Sequence, residues 1–141
     1  MIYSQSGEAL TEQFEGVKLT AYLDSRGIPT IGYGHTRGVS LGDTCTQEQA
    51  DTWLMEDIQT AAADVNRLVT VTLTQSEFDA LTDFCFNAGG GNFESSTMLK
   101  LLNASDYSGA AAQFERWDYA GGVQVAGLLR RRQAEEAEFL S

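Results

Sequence analysis

Proline and histidine each occur once in this 141-residue chain and cysteine only twice, and no apolar run approaches the length of a membrane span. The missing run excludes a transmembrane helix read from hydropathy. One histidine and two cysteines without a cluster exclude a structural zinc site, and nothing else in the chain implies a cofactor. Cys45 and Cys85 stand 40 residues apart with no secretory leader, which favours free thiols over a bridge. Cations are scarce as well: nine Lys and Arg face 20 Asp and Glu, a formal net charge of −11. That balance argues against nucleic acid, anionic membrane or any polyanion as partner, and weighs against an anionic cell-wall polymer. Met1 to Gly7 lacks the basic and apolar regions of a secretory signal, so the expectation is a protein made in the cytoplasm and let out by something else. Repeats, low-complexity tracts and long linkers are absent, which leaves a single domain.

What the chain does have is an ordinary apolar content of 43%, laid out with helical period over most of its length. Ser6 to Phe14 reads as a short helix that Gly16 stops, placing Glu15 at its C-terminal edge. Leu19 to Leu23 and Thr30 to Tyr33 are β-type runs around the turn formers Asp24 to Pro29, a small hairpin or three-stranded sheet. Gly38 to Thr44 is loop. Thr46 with Gln49 and Thr74 with Glu77 are capping boxes. The first predicts a long helix over 47–66; the second opens a helix carrying Phe78, Leu81, Phe84 and Cys85. Asn87 to Asn92, with its three glycines, predicts a turn. Further helices are expected over Met98 to Leu102, from Ser105 to Trp117, and from Leu128 to Leu140 after a break at Gly121-Gly122. The fold class is α+β, mainly helical: a lobe over 1–46 with the hairpin, the connecting helix, then a helical lobe over 67–141.

Glu15, Asp24 nine residues on and Thr30 six beyond that set two carboxyls of different surroundings beside a hydroxyl. Glycosidic-bond hydrolysis needs such a set: an acid kept protonated to release the leaving oxygen, and an ionised acid to handle water. Glu15 at a helix end facing the sheet can be partly desolvated and serve as general acid. Asp24 on an open turn stays ionised, and Thr30 can hold a water for it. From spacing alone the pattern is weak, because a helix-end Glu, a turn Asp and a strand Thr are common.

The surrounding residues sharpen it. Phe14-Glu15-Gly16, Ala21-Tyr22-Leu23-Asp24 and Gly27-Ile28-Pro29-Thr30-Ile31-Gly32-Tyr33-Gly34-His35-Thr36 together resemble the phage-type lysozymes, muramidases of glycoside hydrolase family 24. Phe84-Cys85-Phe86-Asn87-Ala88-Gly89, Phe93 to Thr97 with Leu99, Arg116-Trp117 and Gly127 to Arg132 with Glu135 extend the resemblance over nearly the whole chain. It implies a lysozyme-like fold with the sugar chain in a cleft between two lobes. It implies catalytic roles for Glu15, Asp24 and Thr30, and a cleft lining that includes Phe86, Ser96 and Gln113. It also implies that Asp57 holds the lone His35, and that one of Arg130, Arg131 and Arg132 orients Glu15. Trp53 and Trp117 read as core residues on apolar helix faces. The arginines between 116 and 132 are either a positive face on an acidic body or a solvated cluster pairing with Glu135 and Glu136.

The expected activity is an endolysin that hydrolyses the β-1,4 bond between N-acetylmuramic acid and N-acetylglucosamine in peptidoglycan, with inversion. Inversion needs carboxyls about 6.5–9.5 Å apart, to admit a water. The alternatives are a lytic transglycosylase, which needs one acid and leaves Asp24 and Thr30 idle, and a non-catalytic glycan-binding relative. The chain departs from the family's basic lysozymes in its negative charge, and it lacks the signal-anchor some members carry. The expectation is a monomer that waits in the host cytoplasm, is released through a holin lesion and then acts at the periplasmic cell wall.

Overall fold

Serine and threonine side chains set where the helices begin. In the computed structural model, which describes residues 1–141, Ser4 accepts the Gly7 N–H to open α1 (Gln5–Glu15). Reciprocal capping boxes at Thr46 with Gln49 and at Thr74 with Glu77 open α2 (Gln47–Leu68) and α3 (Gln75–Ala88). Ser96 caps α5 (Thr97–Asn103) and Asp106 caps α6 (Tyr107–Ala111). Between α1 and α2 the chain makes the antiparallel hairpin β1 (Lys18–Leu23) and β2 (Pro29–Gly32), with Tyr22 opposite Thr30 and a bulge between Lys18 and Tyr22. An isolated bridge joins Thr20 to Thr44, so the sheet has two strands and not three.

Helix α3 is the axis of the helical part. It packs against α2 on one side and the C-terminal α7 (Ala126–Leu140) on another, and α1 lies across it. All eight residues from Phe78 to Cys85 are buried. Phe84 meets Phe93, Phe114 and Trp117 edge-on at ring distances of 6.1, 5.8 and 5.5 Å, arrangements that suit aromatic quadrupoles. Helix α1 is fastened to α3 by polar contacts: the Ser4 hydroxyl and backbone N–H donate to Asp79, and the Thr11 hydroxyl donates to Asp83 at 2.7 Å. No helix is long and apolar enough to cross a membrane. Both cysteines are free.

Three stretches differ from the sequence expectation. Only Gly89, at φ +101°, turns the chain after α3; Gly90–Glu94 is then a short helix, α4, and not part of a turn. Phe93 is wholly buried there, which gains about 1.5–3 kcal/mol and offsets the roughly 1 kcal/mol cost of each of the two helical glycines. The expected single helix from Ser105 to Trp117 is α6 followed by a separate 3₁₀ turn at Phe114–Arg116, whose tighter winding carries Phe114 into the core. Gly121-Gly122 is the turn of a second small hairpin, β3 (Tyr119–Ala120) with β4 (Val123–Gln124), and not a plain break.

Phe84→Ala is expected to cost about 3–5 kcal/mol in urea denaturation, because three aromatic neighbours cannot close over the cavity. Thr46→Ala should cost only about 1 kcal/mol through its lost cap.

Candidate active site

Helix α1 ends at Glu15 because Gly16, its C-cap, adopts φ +60° and turns the chain into β1. The Glu15 side chain is 20% exposed, and Arg131 from α7 donates to its Oε1 at 2.6 Å. The rest of the Arg131 guanidinium is taken by Asp83 on α3, with Nε to Oδ2 at 3.0 Å and Nη2 to Oδ1 at 2.8 Å. This bidentate fork is the strong form of an arginine–carboxylate pair. Asp83 also accepts the Thr11 hydroxyl, and Tyr3 shares a hydrogen bond with Thr11 at 2.7 Å. Burial pushes the Asp83 carboxyl up, but hydrogen bonds from Glu135, Arg131 and Thr11, with the charge of Arg131, overcome it and hold the group at about 2. Glu135 is driven the other way: burial first, then its hydrogen bond to Asp83, raise it well above the ordinary range. Burial and the neighbouring Asp83 thus favour the neutral form of Glu135. Arg132 lies 2.8 Å from Glu135 Oε1 without hydrogen-bond alignment; its aligned bonds run from Nη2 to Asn87 at 2.7 Å and to Glu135 Oε2 at 3.1 Å.

The hairpin supplies a second acid in a different setting. Asp24 Oδ1 accepts the backbone N–H groups of Arg26 and Ile28 at 2.8 and 2.9 Å, leaving Oδ2 to solvent. The Ile28 N–H, outweighing partial desolvation, and the Arg26 N–H hold this carboxyl below its usual range. The Thr30 hydroxyl donates to Ile28 O at 2.8 Å, so its lone pairs remain as acceptors; its residue is 3% exposed. Beyond β2 the chain passes Glu15 closely, since a Cβ at Gly34 would stand 3.4 Å from Glu15 Oε2. Helix α2 then pins the hairpin's exit. His35 Nδ1 lies 2.9 Å from Asp57 Oδ2, and its ring stacks on Trp53 at 4.6 Å with the planes 5° apart. Arg37 reaches the same carboxylate at 3.1 Å.

An open groove of about 740 Å³ runs beside Glu15, with Phe14, Asn87, Leu128, Arg130 and Arg131 among its walls. A helix-end acid held by a buried arginine on a groove, with an open-turn aspartate on the adjoining hairpin, suits hydrolysis of a polymer. The family model described as Phage lysozyme matches residues 12–135. The chain belongs to the phage lysozyme family. It is 44% identical to an endolysin of Acyrthosiphon pisum secondary endosymbiont phage 1, over all of this chain and 99% of that one. A solved mutant form of P22 lysozyme superposes with a TM-score of 0.90 at 42% identity, covering 100% of this chain and 99% of that one. The muramidase domain of SpmX from Asticaccaulis excentricus does so at 0.93 and 37% identity, over 99% and 97%. Membership makes the chain a glycoside hydrolase of lysozyme type that acts in peptidoglycan lysis.

Of the three catalytic candidates only Glu15 lines this groove, Asp24 and Thr30 lying on the adjoining hairpin, and the remaining candidates are dispersed. Gln113 lines a separate groove of about 430 Å³ with Thr97, Arg116, Trp117 and Tyr119. Phe86 is half-buried against the core. Ser96 is 3% exposed, and its hydroxyl is used at both ends, donating to Phe93 O at 2.7 Å and accepting the Leu99 N–H. The arginine cluster divides, and a wholly solvated cluster is not what forms: Arg131 and Arg132 are 4% and 1% exposed, whereas Arg130 is exposed. Sequence reasoning missed Asp83, Thr11 and Tyr3. The signal was present in α3, where Asp79 and Asp83 stand one turn apart in a mostly apolar run.

The two buried acids give opposite pH dependences. Asp83, held low, adds stability above its unfolded value of about 3.9, on the order of 2–3 kcal/mol, lost as pH falls toward 2. Glu135, held high, stabilises fully below about 4.3 and loses that contribution as pH rises toward its folded value. Urea denaturation from pH 4.5 to 8.5 should therefore show a decline that Glu135→Gln flattens. Parallel curves for the two proteins would contradict a protonated Glu135.

Proposed function

We propose that this family member cleaves the β-1,4 bond between N-acetylmuramic acid and N-acetylglucosamine by single displacement with inversion. Glu15 is the general acid, Asp24 the general base and Thr30 the water-binding hydroxyl. The observation that carries the reading is Glu15 held at 2.6 Å by a buried arginine on the lip of an open groove. An acid so fixed can meet the glycosidic oxygen without losing side-chain freedom during the reaction. Arg131 keeps Asp83 as a partner when Glu15 takes a proton, so the neutral acid does not strand a buried cation.

On the other face, a water can give one hydrogen to Asp24 Oδ2 and the other to a Thr30 lone pair. Its own lone pair then points toward the anomeric carbon, and Asp24 takes the proton as the bond forms. Asp24's low proton affinity keeps it ionised for that task. The glycan continues into the second groove beside Gln113, Phe86 backs the helical lobe from the edge of the core, and Ser96 shapes that lobe by fixing the start of α5. His35 with Asp57 holds the hairpin in register with α2, and Arg130 stands free in the groove wall. The protein works as a monomer, is held in the host cytoplasm until a holin opens the membrane, and then reaches the wall.

Two experiments test this. Glu15→Gln should lower lysis of purified peptidoglycan by about 10²-fold or more, with folding preserved by circular dichroism; unchanged lysis would defeat the acid assignment. Mass spectrometry of the digest should show reducing ends, and proton NMR should show the α-anomer forming first. Anhydro ends would signal a transglycosylase, and a first-formed β-anomer a retaining mechanism.

A further inference from the structure

Three carboxyls and two guanidiniums meet beneath the groove: Glu15, Asp83 and Glu135 against Arg131 and Arg132. All but Glu15 are 5% exposed or less at the side chain. Two cations cannot balance three carboxylates, and an uncompensated charge in such a site is costly. One proton among the carboxyls would make the cluster neutral, and burial favours the neutral form of Glu135. We propose that Asp83 is a positioning residue for the reaction: it holds Arg131 through two nitrogens so that the third grips Glu15, and it supplies the counter-charge that lets Glu15 hold a proton. The proposal rests on the reading of Glu15 as the acid.

The geometry shows how the coupling runs. Arg131 spends Nε and Nη2 on Asp83 and Nη1 on Glu15, so one planar group links the two carboxyls rigidly. Thr11 fixes the Asp83 oxygen that Nη2 also uses, and Tyr3 fixes Thr11. With Asp83 ionised, Arg131 is already paired before Glu15 contributes, and it keeps that counter-charge when Glu15 is protonated. Without Asp83 the whole charge of Arg131 falls on Glu15 and opposes its proton.

The other charged groups at this junction are few. Arg131 and Glu135 face Asp83 from α7, 3.8 Å apart, and Asp79 lies one turn earlier on α3. Arg132 faces Glu135 and Asn87, and Arg130 lines the groove beside Glu15 without an ion pair. On α1, Glu12 precedes Glu15 by one turn. The hairpin presents backbone at Gly34.

Asp83→Asn keeps the shape and removes the charge. On purified peptidoglycan its kcat is expected to fall about tenfold or more with KM within about twofold. The basic limb of its pH–rate profile, which reports the acid losing its proton, should move about one unit to lower pH. A drop in kcat that follows thermal stability, with the basic limb unmoved, would make Asp83 merely structural and overturn the proposal. Glu15→Gln run alongside separates the two claims. If it stays active, the acid assignment fails; if it is inactive and the Asp83→Asn limb does not move, only the present inference fails. Should Asp83→Asn not fold, carbon-13 titration of the parent decides. The Asp83 carboxyl is expected to show no transition between pH 4 and 8, and a transition there would remove the counter-charge and overturn the proposal.

Discussion

One guanidinium joins the three helices that make the site. Arg131 on α7 is 4% exposed, and taking an arginine that far from water costs several kcal/mol unless its N–H groups are filled. They are filled by Asp83 on α3 and Glu15 at the end of α1. Few relative placements of α1, α3 and α7 meet that demand, so the polar contact specifies the geometry that apolar packing around Phe84 alone would leave looser. The end of α1 in turn sets where β1 starts. His35, clamped to Asp57 and stacked on Trp53, fixes the far side of the hairpin to α2. The acid and the hairpin that carries Asp24 and Thr30 are thus referred to one frame.

Much of this frame was legible in the residues. Both threonine capping boxes, the apolar period of α2, the helix-end position of Glu15 and the turn position of Asp24 are local features, and local physics decides them. The misread stretches are those where tertiary packing overrules local preference. Three consecutive glycines suggest a turn, yet burying Phe93 draws two of them into α4. The paired glycines at 121 and 122 suggest a break, but positive φ at both makes them the turn of a hairpin.

The site was half-legible for the same reason. The resemblance of the surrounding residues, more than spacing, pointed to Glu15, Asp24 and Thr30, but nothing local says which of three consecutive arginines points inward. That choice is made by the 100° step of α7 and by the location of Asp83, forty-eight residues away in sequence. A run of three arginines looks like a basic surface, whereas two of the three are buried beneath the groove. Only Arg130 and Arg116 are left to face solvent there, on a body of net charge −11. Exposed positive charge on the groove beside Glu15 is therefore confined to Arg130, on a wall that also carries the apolar Phe14 and Leu128.

The central claim is that Arg131 is locked between the acid and the core. Nitrogen-15 NMR of the arginine side chains near pH 6 tests it most directly, because a guanidinium held on both sides cannot rotate freely about its C–N bonds. Separate, slowly exchanging Nη resonances for Arg131, beside averaged ones for Arg130, are the expected result. A single averaged Nη signal for Arg131 would contradict the account, since a freely turning fork could not fix Glu15.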